Sequence, residues 1–270
     1  MPGFKPDASP SELFARQIEK DERFWVAAAL LGVYHSPNRI EALAALMTRC
    51  LGPAPPFQGH PTWESALCTE QRLYFEVDLP APKDFSEALG KRLNKSILTP
   101  YILAIAEGTS KLEGTTKADA VLVTDTGFAV VFEAKVLSDL GTRISYDIMR
   151  NQLARTVDVL LDPNENLLGL LERREPKKSC VVLLTPEIFK TNPSTRLYGW
   201  LFNAYRNDPS LLGMHLRHRK DVNWMRVSRR LGWLTFEDCN EITPGACSWL
   251  DRTQSTPTWP LRASAPQARG

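Results

Sequence analysis

The sequence carries little net charge, few cysteines and no long apolar run. Its formal net charge is only +2 over 270 residues, so any basic surface must be local. Five cysteines without a Cys-x-x-Cys pair argue against a disulfide framework or a zinc module. The longest apolar run, residues 24–34, is too short to span a bilayer, and the first ten residues lack a signal-peptide pattern. We therefore expect a cytoplasmic protein without a membrane partner.

Several sequence motifs with known chemistry are also missing. We find no internal repeat, no phosphate-binding glycine loop, no helicase-type nucleotide site and no zinc finger. Hydrophobic residues make up 43% of the chain and charged residues 24%, which is ordinary for a soluble protein. The length suits one large domain, or one domain with a smaller appendage.

The most informative stretch is residues 118–136, ADAVLVTDTGFAVVFEAKV. Two runs rich in β-branched and aromatic residues flank Asp125-Thr126-Gly127, which predicts a β-hairpin with a three-residue loop. Gly127 suits the left-handed last position of such a loop. With this loop, residues whose numbers sum to 252 face each other, so Asp119 lies opposite Glu133.

Side-chain alternation along the second strand places Glu133 and Lys135 on one face and Ala134 on the other. Asp119 joins the first face, where the neighbouring residues are apolar. Opposed carboxylates only ~5 Å apart at Cβ repel each other, and buried charges are costly unless they are paired or bound to metal. A divalent cation would relieve this repulsion. The alternative is a chance grouping of charges on an exposed hairpin face.

A second Glu-x-Lys occurs at residues 175–177, but it contains a proline and lies in a polar run without a hairpin. We interpret that copy as a loop.

The acid on one strand followed by Glu-x-Lys on the next resembles the core of the PD-(D/E)xK nuclease superfamily over residues 84–190. Asp119 matches its first acid, Glu133 the second and Lys135 the lysine, while Ala118 replaces the family's proline. The resemblance implies an α/β, restriction-endonuclease-like core with a mixed central sheet flanked by helices. It also implies a metal-dependent nuclease, with DNA as the expected substrate. Mg²⁺ or Mn²⁺ would be held by Asp119, Glu133 and the carbonyl of Ala134, and Lys135 would orient or deprotonate the attacking water.

The resemblance implies further site residues on the flanking helices. A helix before the hairpin often supplies another acid, for which Glu87 is the first candidate and Glu107 the second. A glutamine often follows on the helix after the hairpin, here Gln152 in a helix predicted over residues 146–161. Arg155 is three residues further on and is a candidate phosphate contact. A solvated helix face is the alternative for each of these residues.

A basic, aromatic-containing run, HLRHRKDVNWMRVSRR, occupies residues 215–230. Such a run suits a phosphate backbone, because each neutralised phosphate releases counterions; a solvated helix face is the alternative. The two histidines are interpreted as phosphate contacts or surface residues, although their spacing also allows metal binding. The candidate nucleic-acid contacts of the run are Arg217, Arg219, Lys220, Arg226, Arg229 and Arg230.

The chain divides into four predicted parts. Residues 1–52 form an N-terminal helical appendage with helices at 9–33 and 36–51, and residues 53–62 form a proline-rich connector. Residues 63–250 form the nuclease domain, and residues 251–270 form a disordered tail. Phe24 and Trp25 in the first helix either anchor a protein partner or a second copy of the chain, or dock onto the protein's own core.

The domain is predicted to contain further strands at residues 72–79, 180–184 and 231–236. Helices are predicted to begin at residues 84 and 99. Two other functions stay open: an RNA-cleaving enzyme on the same scaffold, and a nucleic-acid-binding module whose hairpin charges are structural.

Overall fold

The computed structural model describes residues 21–93, 113–141, 147, 149–163, 171 and 173–250. Its centre is a mixed five-stranded sheet in the spatial order β1-β2-β3-β4-β5. The first three strands pair antiparallel, whereas β3, β4 and β5 run parallel. The predicted α/β class with a mixed sheet flanked by helices is confirmed. The strands are β1 (Gln71–Leu79), β2 (Thr116–Thr124), β3 (Ala129–Ala134), β4 (Ser179–Thr185) and β5 (Leu231–Thr235).

Helices flank both faces of the sheet. In chain order they are α1 (Glu22–Tyr34), α2 (Arg39–Leu51), α3 (Trp63–Leu67), α4 (Lys83–Leu93), α5 (Gln152–Leu161), α6 (Glu187–Thr191), α7 (Leu197–Asn207), α8 (Ser210–His215), α9 (Trp224–Ser228) and α10 (Phe236–Ile242). Within the described ranges, none of these helices has both the length and the apolar character that crossing a membrane requires.

The N-terminal helices form one layer of the fold and are not an appendage. Val26 of α1 and Leu46 of α2 lie in the same buried cluster as Val130 and Val182 of the sheet. The connector packs there too, because the Phe57 ring stacks on Phe128 with centroids 5.6 Å apart. The predicted boundary at residues 53–62 therefore separates sequence segments and does not separate hydrophobic cores.

Helix α5 covers the opposite face of the sheet together with α7 and α8. Leu153 and Val157 of α5 pack in a second buried cluster with Val131 of β3, as the apolar periodicity predicts. The helix begins at Gln152 and not at residue 146, because Asn151 is its N-cap and accepts a hydrogen bond from the Ala154 N–H at 3.0 Å. Met149, predicted on the core side, precedes the helix and is 39% exposed.

The first described helix also begins later than the sequence predicts. Asp21 has extended backbone angles and caps the helix by accepting from the Arg23 N–H, so α1 starts at Glu22. Trp25 docks on its own chain, with its ring 4.2 Å from that of Trp249, whereas Phe24 is 53% exposed. The start of the first predicted helix at residue 9, the helix from residue 99 that includes Glu107, and the tail at 251–270 lie outside the described residues.

Candidate active site

The hairpin has the predicted loop and register. Gly127 has φ +84°, its N–H donates to the Thr124 carbonyl at 3.2 Å, and the Thr124 N–H donates to the Phe128 carbonyl at 2.9 Å. The paired residues run from Val123 opposite Ala129 to Ala120 opposite Phe132, and each pair sums to 252. The three-residue loop is therefore confirmed, and Asp119 lies level with Glu133 at the open end of the hairpin.

Asp119 sits where the pairing of β2 with β3 ends and where its pairing with β1 is interrupted for one residue. The Ala134 N–H donates to Asp119 Oδ2 at 2.7 Å, where an unbroken antiparallel ladder would direct it to the backbone of Ala118. On the other side, the register between β1 and β2 omits Glu76, which has φ +54° and stands opposite Asp119. A carboxylate thus replaces a backbone acceptor at the point where the strands separate.

The side chains of β3 divide between the two layers as the alternation predicts. Phe132 and Ala134 lie in the cluster formed with the N-terminal helices, and Val131 lies in the cluster formed with α5. Glu133 faces the α5 layer, where Gln152 Nε2 donates to Glu133 Oε1. The Ala134 side chain therefore points into the opposite apolar layer. Gln152, which the family resemblance implies near the metal or the phosphates, contacts the second acid.

Lys135 is held by two oxygens of the adjoining residues. Its Nζ donates to Glu133 Oε1 and to the Ala134 carbonyl, both at 2.8 Å. Glu133 is fully buried, and no described residue forms a hydrogen bond with its second oxygen, Oε2. One buried carboxylate oxygen thus remains available to a further ligand.

Burial and neighbouring charges shift the ionisation of all three residues. Burial raises the pKa of Glu133 to about 7, and the charge of Asp119 adds to this rise. Burial also raises the pKa of Asp119, with Glu22 and Glu76 contributing, although the bond from the Ala134 N–H and the charge of Lys135 oppose this rise. Burial alone would lower the pKa of Lys135, but the charge and hydrogen bond of Glu133 together with the charges of Asp119 and Glu22 outweigh burial and raise it. Lys135 therefore stays protonated at neutral pH.

Glu22 belongs to this group, and the sequence interpretation missed it. As the first residue of α1, it accepts hydrogen bonds at Oε1 from the Val136 N–H at 2.8 Å, the Ser138 N–H at 3.1 Å and the Ser138 hydroxyl at 2.7 Å. Its Oε2 lies 3.9 Å from Lys135 Nζ. No local pattern marks this residue, since an acid in a first helical turn is common for dipole reasons alone.

The donor set suits a hard cation. Among the residues that the structure describes, no three Asp, Glu, His or Cys side chains already form a metal site. The Lys135 ammonium, itself a cation, is nevertheless bound by two of the three predicted ligand groups, Glu133 and the Ala134 carbonyl. Glu133 Oε2 is unpaired and Asp119 is adjacent, so oxygen ligands for Mg²⁺ or Mn²⁺ are present. That both carboxylates reach one ion stays a prediction.

Glu87 does not belong to this group. It is exposed on α4, and no hydrogen bond or ion pair within the described ranges joins it to Asp119, Glu133 or Lys135. Helix α4 packs instead near the start of the basic run, where Asp84 lies 3.5 Å from Arg219. Among the described residues, the acid of a helix before the hairpin that lies near Lys135 is Glu22.

Arg155 is not available to a phosphate backbone. It is 1% exposed, pairs with Glu113 at 3.3 Å and donates to the Gly114 carbonyl at 2.9 Å. Arg150 also binds Glu113, at 2.9 Å, and pairs with Asp158 at 2.6 Å. Arg155 is therefore part of a buried charge cluster that joins α5 to the segment before β2, which corrects the interpretation as a nucleic-acid contact.

The basic run is only partly exposed. Arg219 binds Asp158, and Arg230 is buried and donates to the carbonyls of Pro176 and Ser179. These two residues support the fold and are not free for phosphates. The exposed cations of the run are Arg217, Lys220, Arg226 and Arg229.

Arg226 and Arg229 lie at the opposite end of the sheet from the acids. They precede β5, which runs parallel to β3, whereas Glu133 lies near the carboxyl end of β3. The two histidines have partners within the protein: His215 bonds Tyr205 and Asn151, and His218 bonds Asp158. The predicted basic surface thus divides into separate parts.

Comparison of the chain with protein-family models, with curated proteins and with solved structures found no match.

Proposed function

We propose that the chain is a metal-dependent nuclease of the PD-(D/E)xK type that hydrolyses phosphodiester bonds, with DNA as its substrate. One observation carries the proposal: the hairpin register brings Asp119 level with Glu133 and Lys135 at the end of β3. The order of elements agrees, since the acid on β2 and Glu-x-Lys on β3 are followed by helix α5 and strand β4.

Each residue has a role that follows from its contacts. Asp119, Glu133 and the Ala134 carbonyl would hold Mg²⁺ or Mn²⁺, which acts when bound as a Lewis acid and lowers the pKa of bound water. Gln152 fixes the orientation of Glu133 by donating to its Oε1. The bond from the Ala134 N–H fixes Asp119 at the same edge.

Lys135 acts as a charged donor and not as a base. Its raised pKa keeps the ammonium protonated at neutral pH, so it orients water and offsets the negative charge of the phosphate. The ammonium donates to two of the oxygen groups that would hold a metal ion, Glu133 Oε1 and the Ala134 carbonyl. A bound metal ion would therefore compete with the Lys135 ammonium for these two groups.

The test is a cleavage assay on purified full-length protein. Supercoiled plasmid, single-stranded DNA and RNA are incubated with Mg²⁺, with Mn²⁺, or with a chelator. We expect DNA cleavage that requires metal and falls by more than about a hundredfold in Asp119→Ala and in Lys135→Ala. Asp78→Asn is the matched control, because Asp78 is an exposed acid on β1. Cleavage that persists in chelator or in both site variants would refute the proposal.

The same assay separates the other possible functions. Metal-dependent cleavage of RNA alone would assign the site to RNA. Binding without cleavage of any of the three substrates would favour a module in which the charges of Asp119, Glu133 and Lys135 are structural.

A further inference from the structure

A cavity of about 210 Å³ lies between α4 and the turn that follows α8. Its floor is apolar and is formed by Phe85, Ala88 and Leu89 of α4. Its rim carries one acid, Asp147, which forms an ion pair with Arg92 at 2.7 Å. The rim also carries four nitrogen-bearing side chains, Arg92, His215, Arg217 and His218. We call this cavity the His215 pocket.

The hydrogen bonds of His215 fix which ring nitrogen carries the proton. Its Nδ1 lies 3.2 Å from the Asn151 amide nitrogen and 2.5 Å from the Tyr205 hydroxyl. An amide nitrogen only donates, so Nδ1 must accept and the proton lies on Nε2. Burial and the charge of Arg217 lower the pKa of His215, which agrees with a neutral ring. No described residue accepts from Nε2, so this donor is available at the pocket.

Arg217 brings charge to the same rim. Its Nε donates to the Met214 carbonyl at 3.0 Å, which orients the guanidinium. No hydrogen bond in the described part of the chain uses its terminal nitrogens. Asp158 lies behind the rim, but it is paired with Arg150 and Arg219 as well as with His218. The pocket therefore offers an excess of donors over free acceptors, as anion recognition requires.

The pocket adjoins the candidate active site through two consecutive residues. Gln152 contacts Glu133, and Asn151, the residue before it, contacts His215. Because consecutive Cα atoms lie 3.8 Å apart, the pocket is on the order of 15 Å from the acids when side-chain lengths are added. That separation is short enough for one single strand to reach both sites.

We propose that the His215 pocket binds a backbone phosphate of a nucleic-acid strand, away from the bond that is cleaved. The phosphate accepts from Arg217 and from His215 Nε2, and Arg92 contributes positive charge from the opposite rim. The apolar floor receives the sugar of the same nucleotide. This inference rests on the proposed function for its ligand, whereas the pocket itself is defined by the contacts above.

The test measures binding without turnover. A fluorescent single-stranded oligonucleotide is titrated in chelator over a range of NaCl concentrations against the full chain. The Arg92→Gln/Arg217→Gln double variant is expected to bind roughly tenfold more weakly, with the log–log salt slope reduced by about 1.4. The control is Arg49→Gln/Arg173→Gln, which removes the same charge from exposed, acid-paired positions outside both the pocket and the basic run.

A second measurement locates the contact. The chain has four histidines, so the ring resonances can be assigned by comparison with His215→Gln. We expect the His215 resonance to move on adding the oligonucleotide to wild type and to the control, but not to the pocket variant. Oligonucleotide binding that leaves this resonance and the pocket variant's salt slope unchanged would overturn the inference.

Two outcomes separate this inference from the proposed function. Metal-dependent cleavage together with an unmoved His215 resonance would support the proposed nuclease and refute the proposed phosphate site in the pocket. The opposite outcome is that inorganic phosphate moves the His215 resonance in wild type but not in Arg217→Gln, while no substrate is cleaved. This result would support the phosphate site and refute the proposed nuclease.

Discussion

Asp119→Asn provides the sharpest test of the site, because it should change the protein's stability in opposite directions with and without metal. The substitution keeps an oxygen that accepts from the Ala134 N–H and removes one negative charge beside Glu133 and Glu22. The Lys135 ammonium loses one attractive neighbour but keeps its bonds to Glu133 and to the Ala134 carbonyl. Like charges opposed across a ladder destabilise a sheet by roughly 0.2–1 kcal/mol. In chelator we therefore expect the free energy of unfolding to rise by about 0.5 kcal/mol.

Metal should reverse the order of stability of wild type and Asp119→Asn. A ligand present at about a hundred times its Kd raises the free energy of unfolding by about 2.7 kcal/mol. The variant lacks one of the two carboxylates that would bind the metal, so it would lose most of this stabilisation. Wild type should then be the more stable protein by about 2 kcal/mol. For a chain of this size that is a difference of roughly 4–8 °C in Tm.

The assay is thermal or denaturant unfolding at neutral pH, in chelator and in saturating Mn²⁺. Asp78→Asn serves as the control and should respond to metal as wild type does, since it removes an exposed acid from β1. If Asp119→Asn is the less stable protein in chelator, or gains as much stability from Mn²⁺ as wild type, the charge argument is wrong.

Three further predictions follow from the contacts of other residues. Lys135→Met should abolish cleavage yet bind Mn²⁺ at least as tightly as wild type in a calorimetric titration, because the ammonium competes for the Glu133 oxygen; loss of metal binding would contradict this. Glu22→Ala should lower kcat about tenfold with oligonucleotide affinity unchanged, because the backbone after Lys135 loses its hydrogen bonds from Val136 and Ser138 to Glu22. Glu41→Ala on α2 serves as a control at an exposed acid. Asp158→Asn should lower the free energy of unfolding by about 3 kcal/mol at pH 7, as expected for a broken buried pair. Burial alone would raise the pKa of Asp158, but the bond from His218 and the charges of Arg150 and Arg219 lower it. The ionised Asp158 carboxylate therefore stabilises the folded protein at pH values above the pKa of the unfolded chain. This stabilisation is lost as the pH falls through the lower pKa that Asp158 has in the folded protein. The difference between wild type and Asp158→Asn should therefore shrink in acid, and urea titrations at several pH values measure it.

The hairpin and the strands were predictable because their signals are local. The loop Asp125-Thr126-Gly127 sets the register, and the register alone decides that Asp119 meets Glu133. The continuous apolar run in β4 likewise predicted a strand that is buried along its whole length. Gln152 was placed correctly because the helix after the hairpin packs on the Glu133 face.

The arginines were harder to assign because exposure is not a local property. Arg155 has the same sequence setting as a solvated helix residue. Its burial is made tolerable by Glu113 and by the carbonyls of the two residues that follow it, about 40 positions earlier in the chain. Arg219 and Arg230 read as members of one basic run, yet Asp158 and the carbonyls near β4 bind them inside the fold. Long-range partners therefore decided which cations face solvent.

The sequence by itself determined the α/β class, the hairpin register and the grouping of Asp119, Glu133 and Lys135, since turn chemistry and alternation act over a few residues. The tertiary structure decided that the N-terminal helices form a full layer and that Glu22 reaches the chain after Lys135. It also decided where the basic residues lie. These outcomes depend on burial and on pairing between distant segments, because a charge or an apolar face is stabilised only by whatever the fold places against it.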